Sequence, residues 1–78
     1  MSYGYSARLI EINKQADDSR LGVALGRLCI ALDIPVTTVS QRMGVSKQTV
    51  YNWFMGSYSP HPTCEQVVQQ MIADLQSK

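Results

Sequence analysis

Residues 36–56, VTTVSQRMGVSKQTVYNWFMG, decide how this chain is read. The stretch divides into two short helices joined by a tight glycine turn. Val36 to Met43 carries good helix formers and ends at Gly44, the residue type that accepts the left-handed conformation of a helix stop. Ser46 stands where an N-cap belongs, because its hydroxyl can accept from a backbone N–H that the next helix leaves unpaired. That helix, Lys47 to Met55, has two unlike faces. Val50, Trp53 and Phe54 are spaced to point inward, whereas Lys47, Gln48, Tyr51 and Asn52 fall on the outward side near its start. An apolar back with a front of hydrogen-bonding side chains, free of carboxylates, is what a helix needs to lie in the major groove of DNA.

The longer run IPVTTVSQRMGVSKQTVYNWFMGSYSP resembles the helix-turn-helix of the Cro and C1 repressor type, the XRE-like family. The likeness covers roughly residues 20–62 and needs no gap at the turn. Ser40 stands where that family has a small residue for close helix approach. Gly44 fills the turn glycine, Val45 a buried turn position and Val50 the apolar anchor of the recognition helix, while Gly56 followed by Pro60 resembles the exit loop. One position departs: Val36 occupies a site where many members have a Gln or Ser that touches DNA, so that contact is expected to be missing. The resemblance implies a lambda-repressor-like fold, a phage or bacterial origin and a role as transcriptional repressor.

Composition sets the bounds. A chain of 78 residues, 45% hydrophobic and 17% charged, suits one globular domain with a modest core rather than a disordered segment. Its most apolar stretch is interrupted by Gly22, Gly26 and Arg27, which argues against a membrane span, and no signal peptide is evident at the N-terminus. Cys29 and Cys64 have no partner at metal-ligand spacing. Both fall on apolar helix faces and read as buried free thiols in a reducing cytoplasm. The net charge of +1 is small for a nucleic-acid binder. Its distribution helps, since no Asp or Glu occurs between Ile34 and Cys64, where Arg42, Lys47 and His61 lie. In so short a stretch, chance gives the same pattern.

Outside the central motif, residues 1–17 read as an N-terminal arm or short helix and residues 18–78 as the domain proper. Met1 to Tyr5 is expected to be a mobile lead. Tyr5, Leu9 and Ile12 have helical spacing, yet Leu9-Ile10-Glu11-Ile12 also suits a short strand. The segment is a candidate for dimer contacts, for a DNA-reaching arm or for a lid over the core. Asp18 or Ser19 is expected to cap the next helix, whose stripe is Leu21, Leu25, Leu28 and Leu32, with Val23 and Ile30 pointing towards the N-terminal segment. Gly22 and Gly26 each weaken a helix by ~1 kcal/mol relative to Ala, so close packing is expected to compensate. Pro35 ends this helix and opens the following one. After Gly56 the loop is polar and stiffened by prolines, with His61 an exposed loop residue. Thr63-x-x-Gln66 matches a capping box, and Val67, Val68, Met71, Ile72 and Leu75 form the apolar face of a last helix.

Enzymatic readings lack parts. A single His, no acid in the middle of the chain and no Gly-rich phosphate loop leave nothing for acid–base or nucleophilic work, and no metal or cofactor is expected. The chain reads as an all-α bundle of four or five helices that binds double-stranded DNA. Gln48 is the first choice for a base contact, since its amide can pair bidentately with adenine; Asn52 is expected to do the same at a neighbouring base pair. Lys47 takes guanine acceptors or a phosphate, and Tyr51 a thymine methyl or a phosphate, although an aromatic at that spacing also extends the apolar back. Thr37, Thr38, Arg42, Ser46, Ser57, Tyr58 and Ser59 are the candidates for the sugar-phosphate backbone. Two half-sites about 34 Å apart call for a homodimer, built on the last helix or the N-terminal segment. Two other classes stay open: a subunit of a phage assembly such as a small terminase or recombination factor, and a protein-interaction module without DNA binding.

Overall fold

The computed structural model describes residues 5–77, and over them all regular secondary structure is helical. Its elements are α1 (Ala7–Gln15), α2 (Leu21–Leu32), α3 (Val36–Met43), α4 (Lys47–Met55) and α5 (Pro62–Gln76). The ambiguous N-terminal stretch is a helix, capped by Ser6, whose Oγ accepts from the Leu9 N–H at 3.1 Å. Tyr5 is not part of a mobile lead. It is buried, its hydroxyl donates to the Ile34 carbonyl at 2.5 Å, and its ring lies tilted against Phe54. That burial pushes the phenol well above its ordinary pKa. Residues 1–4 of the expected lead lie outside the described residues.

The centre of the molecule is the crossing of α2 with α4, and its closeness explains two glycines in a helix interior. A Cβ on Gly22 would fall 2.6 Å from Trp53 Cβ and 2.9 Å from the Trp53 carbonyl oxygen; one on Gly26 would fall 2.8 Å from Phe54 Cγ. The buried face of α2 is therefore Gly22, Val23, Leu25, Gly26 and Cys29. This corrects the leucine stripe: Leu25 is fully buried, Leu21 and Leu28 are half-buried, and Leu32 is 43% exposed. The face that buries most carries Gly22 and Gly26 where α4 comes close, and leucines at those two positions would hold it away. Ile30 does lean towards the N-terminal helix, where it shares a groove with Ile10 and Lys14.

Side chains that the sequence pattern did not single out tie α1 and α4 down. Asn13, 2% exposed, donates from Nδ2 to the carbonyls of Val23 (3.2 Å) and Phe54 (2.7 Å), so a single amide joins three helices. Arg27 donates to the Lys14 and Ala16 carbonyls at the end of α1 and pairs with Asp18 at 2.9 Å. Asp18 and Ser19 consequently do not cap α2; Arg20 holds the cap position without a side-chain cap bond, while the Asp17 carboxylate takes the Ser19 N–H. That bond holds the Asp17 carboxyl below its ordinary pKa. The expected capping box at Thr63 is also absent. Helix α5 starts one residue earlier, at Pro62, and the His61 ring accepts from the Thr63 N–H at 3.2 Å. Val68, Met71 and Leu75 of α5 are buried, Ile72 is half-buried, and Val67 stays 41% exposed.

Two expectations follow for stability. Gly22→Ala lowers the urea midpoint, because overpacking costs about 1–3 kcal/mol against a propensity gain of ~1 kcal/mol; a raised midpoint contradicts the close crossing. Asn13→Ala takes the donor from the Phe54 carbonyl at the end of α4 and costs about 1–3 kcal/mol in the same assay. The thiols should differ as well. Cys29 is fully buried, which pushes its pKa to about 12, whereas Cys64 is only half-buried, short of the expected burial. A thiol reagent should label Cys64 in the native protein and reach Cys29 only on unfolding; equal rates would contradict this.

Candidate nucleic-acid interface

Helices α3 and α4 are separated by Gly44, Val45 and Ser46. Gly44 adopts φ +71°, where an L side chain is strained, and its N–H closes on the Ser40 carbonyl at 2.9 Å. Val36, Val39 and Ser40 form the buried side of α3, with Val45 half-buried in the turn. Val36 is thus a core residue. Ser40 turns its hydroxyl back onto the Thr37 carbonyl at 3.0 Å, which leaves its small side free for the neighbouring helix. Ser46 caps α4: its Oγ accepts from the Thr49 N–H at 3.2 Å and is hydrogen-bonded to the Thr49 hydroxyl at 2.9 Å. Its exposed hydroxyl is already engaged by the helix.

Along α4, Val50 and Phe54 are fully buried and Trp53 nearly so, which fixes which way the other face points. Lys47 and Gln48 are exposed, while Tyr51 and Asn52 are half-buried. The four candidate base-reading side chains therefore share one helix but not one environment. Gln48 Nε2 donates to Asn52 Oδ1 at 3.1 Å, so these two amides are paired with each other. Tyr51 leans into a shallow groove of about 360 Å³ shared with Ser6, Leu9, Gln48 and Met55, which places the start of α1 along one flank of α4. On the other flank, Asn52 and Thr49 border a depression of about 290 Å³ with Tyr58, Ser59 and His61.

The candidate backbone contacts divide. Thr37 and Thr38 are exposed at the start of α3, and the Thr38 N–H already donates to the Pro35 carbonyl at 3.0 Å. Ser57, Tyr58 and Ser59 are exposed after Gly56, with Tyr58 at 65%. The N–H groups of Ser57 and Tyr58 are spent on the Asn52 carbonyl at 3.0 and 3.4 Å, so this loop offers side chains rather than backbone donors. Arg42 is the residue that the fold places differently. Its guanidinium pairs with Asp74 of α5 at 2.6 Å, although the sequence around Arg42 is free of acids. A carboxylate distant in sequence thereby enters the cationic window. Lys47 carries no such ion pair among the described residues.

Arg20 was not foreseen at this end of α4. Its guanidinium donates to the Gly56 carbonyl at 3.0 Å, satisfying an acceptor that a helix end leaves open. The only signal in the sequence was an arginine just before the α2 pattern.

Among the described residues no helix is long and apolar enough to cross a membrane, and no group of three or more His, Cys, Asp or Glu is placed to hold a metal ion. Compared with protein-family models, curated proteins and solved structures, the chain finds no match.

Proposed function

We propose that this chain binds duplex DNA in a sequence-specific manner, with α4 in the major groove, as a repressor-type transcriptional regulator with a Cro/C1-like helix-turn-helix. The observation that carries this reading is the outward face of α4. It offers a lysine and two amides, with no carboxylate on that helix, from a backbone held by a fully apolar reverse side. Lys47, Gln48, Tyr51 and Asn52 face the bases, and Thr37, Thr38, Ser57, Tyr58 and Ser59 face the phosphates. The role is one of binding, without catalysis, cofactor or effector, in the cytoplasm of a bacterium or an infected host cell. A two-fold homodimer supplies the second half-site, and the exposed Val67 makes α5 the first surface to join. A protein-interaction module is the second reading, favoured by the Arg42–Asp74 pair, which removes a cation from the weakly charged surface.

Binding of a duplex selected from a random pool tests the first reading. Affinity should fall with salt and exceed that for bulk DNA by ~10³ or more. No binding to any duplex at low salt favours the protein-interaction module, and ring assemblies with little sequence preference favour a packaging subunit. Within the first reading, Asp74→Asn should release Arg42, tighten binding to all sequences alike and steepen the salt slope by about 0.9. A change confined to one sequence would remove Arg42 from the backbone contacts.

A further inference from the structure

We infer that Asn52 is a positioning residue that sets the amide of Gln48 for adenine, and that it reads no base pair of its own. This rests on α4 being the helix that reads DNA. The starting point is the hydrogen bond from Gln48 Nε2 to Asn52 Oδ1 at 3.1 Å, one helical turn apart. A glutamine amide has two N–H donors and one carbonyl acceptor. With one donor committed to Asn52, Gln48 retains one N–H and its Oε1. That is the complement of adenine, which shows the N7 acceptor beside the N6 donor, and it does not match guanine, which shows two acceptors.

Asn52 is suited to the supporting part. Its side chain is half-buried where that of Gln48 is exposed, and its carbonyl accepts from the N–H groups of Ser57 and Tyr58, which fixes its backbone. Its Oδ1 is turned along the helix to Gln48 rather than outward. The bond also opposes rotation of the glutamine amide, since that would set Oε1 against Oδ1, two acceptors face to face. In open water such a pair is weak, but an interface that excludes water strengthens it. The two amides then act as one reader of one base pair.

The test uses the full chain and a duplex chosen from a random pool, with each base pair varied in turn. The unmodified protein should prefer adenine at one position by about 5- to 140-fold. Gln48→Ala and Asn52→Ala should both erase the preference at that same position, and the double variant should be no worse than Gln48→Ala alone. Asn52→Asp, which keeps the acceptor, should retain the adenine preference while weakening binding to every sequence. Loss at two different base pairs with multiplying effects, or an Asn52→Ala variant with unchanged preference, would overturn the inference and leave DNA binding intact. The side-chain amide resonances of Gln48 supply a readout without DNA. They should move in Asn52→Ala, and resonances identical to those of the unmodified protein would overturn it. Absence of binding to any duplex would overturn the parent reading and this inference with it.

Discussion

The close crossing of α2 and α4 is the constraint on which the rest of the molecule depends. Gly22 and Gly26 remove two side chains from the middle of α2; Trp53, backbone included, occupies the space at Gly22, and the side chains of Phe54 and Asn13 occupy it at Gly26. Dispersion contacts fall off steeply with separation, so a helix seated this closely gains far more than one held off by methyl groups. The seat also sets rotation about the helix axis. With Val50, Trp53 and Phe54 committed to the core, Lys47 and Gln48 have only the outside available. Asn13 and Arg20 then fasten the far end of α4 through the carbonyls of Phe54 and Gly56. The reverse side of α4 is thus held at several points along its length.

Electrostatics work differently here from what a strongly basic chain would offer. With a net charge of +1 and Arg42 turned to Asp74, the surface around α4 supplies little general attraction for a polyanion. Recognition under the proposed reading falls on directed hydrogen bonds from amides and hydroxyls. A protein built this way spends less of its affinity on phosphate charge and discriminates through the geometry of a few side chains. The paired Gln48 and Asn52 suit that division of labour.

Much of this was legible from local rules. The glycine stop at Gly44, the Ser46 cap and the inward triad of Val50, Trp53 and Phe54 are set by neighbours within a turn or two, so sequence spacing reaches them. What escaped depends on contacts between distant residues. The leucine stripe on α2 misplaced the buried face because periodicity weighs side-chain size, whereas this interface selects for its absence. Asn13 sits one turn after Leu9 on an otherwise apolar row, a signal that is clear only once two carbonyls are known to await it. Asp74 reaches Arg42 from 32 positions away, and no window of sequence shows that pairing. At α5, His61 outcompeted a regular capping box because Pro62 already has the backbone angle of a first helical residue.

Backbone amide resonances followed during titration with a selected duplex give the most direct test of the claim that α4 presents a reading face. Shifts are expected at Lys47, Gln48, Tyr51 and Asn52, at Thr37 and Thr38, and across residues 57–59. Shifts confined to the groove between α1 and α2, or none at any ratio of duplex to protein, would contradict the assignment of α4 as the helix that meets DNA.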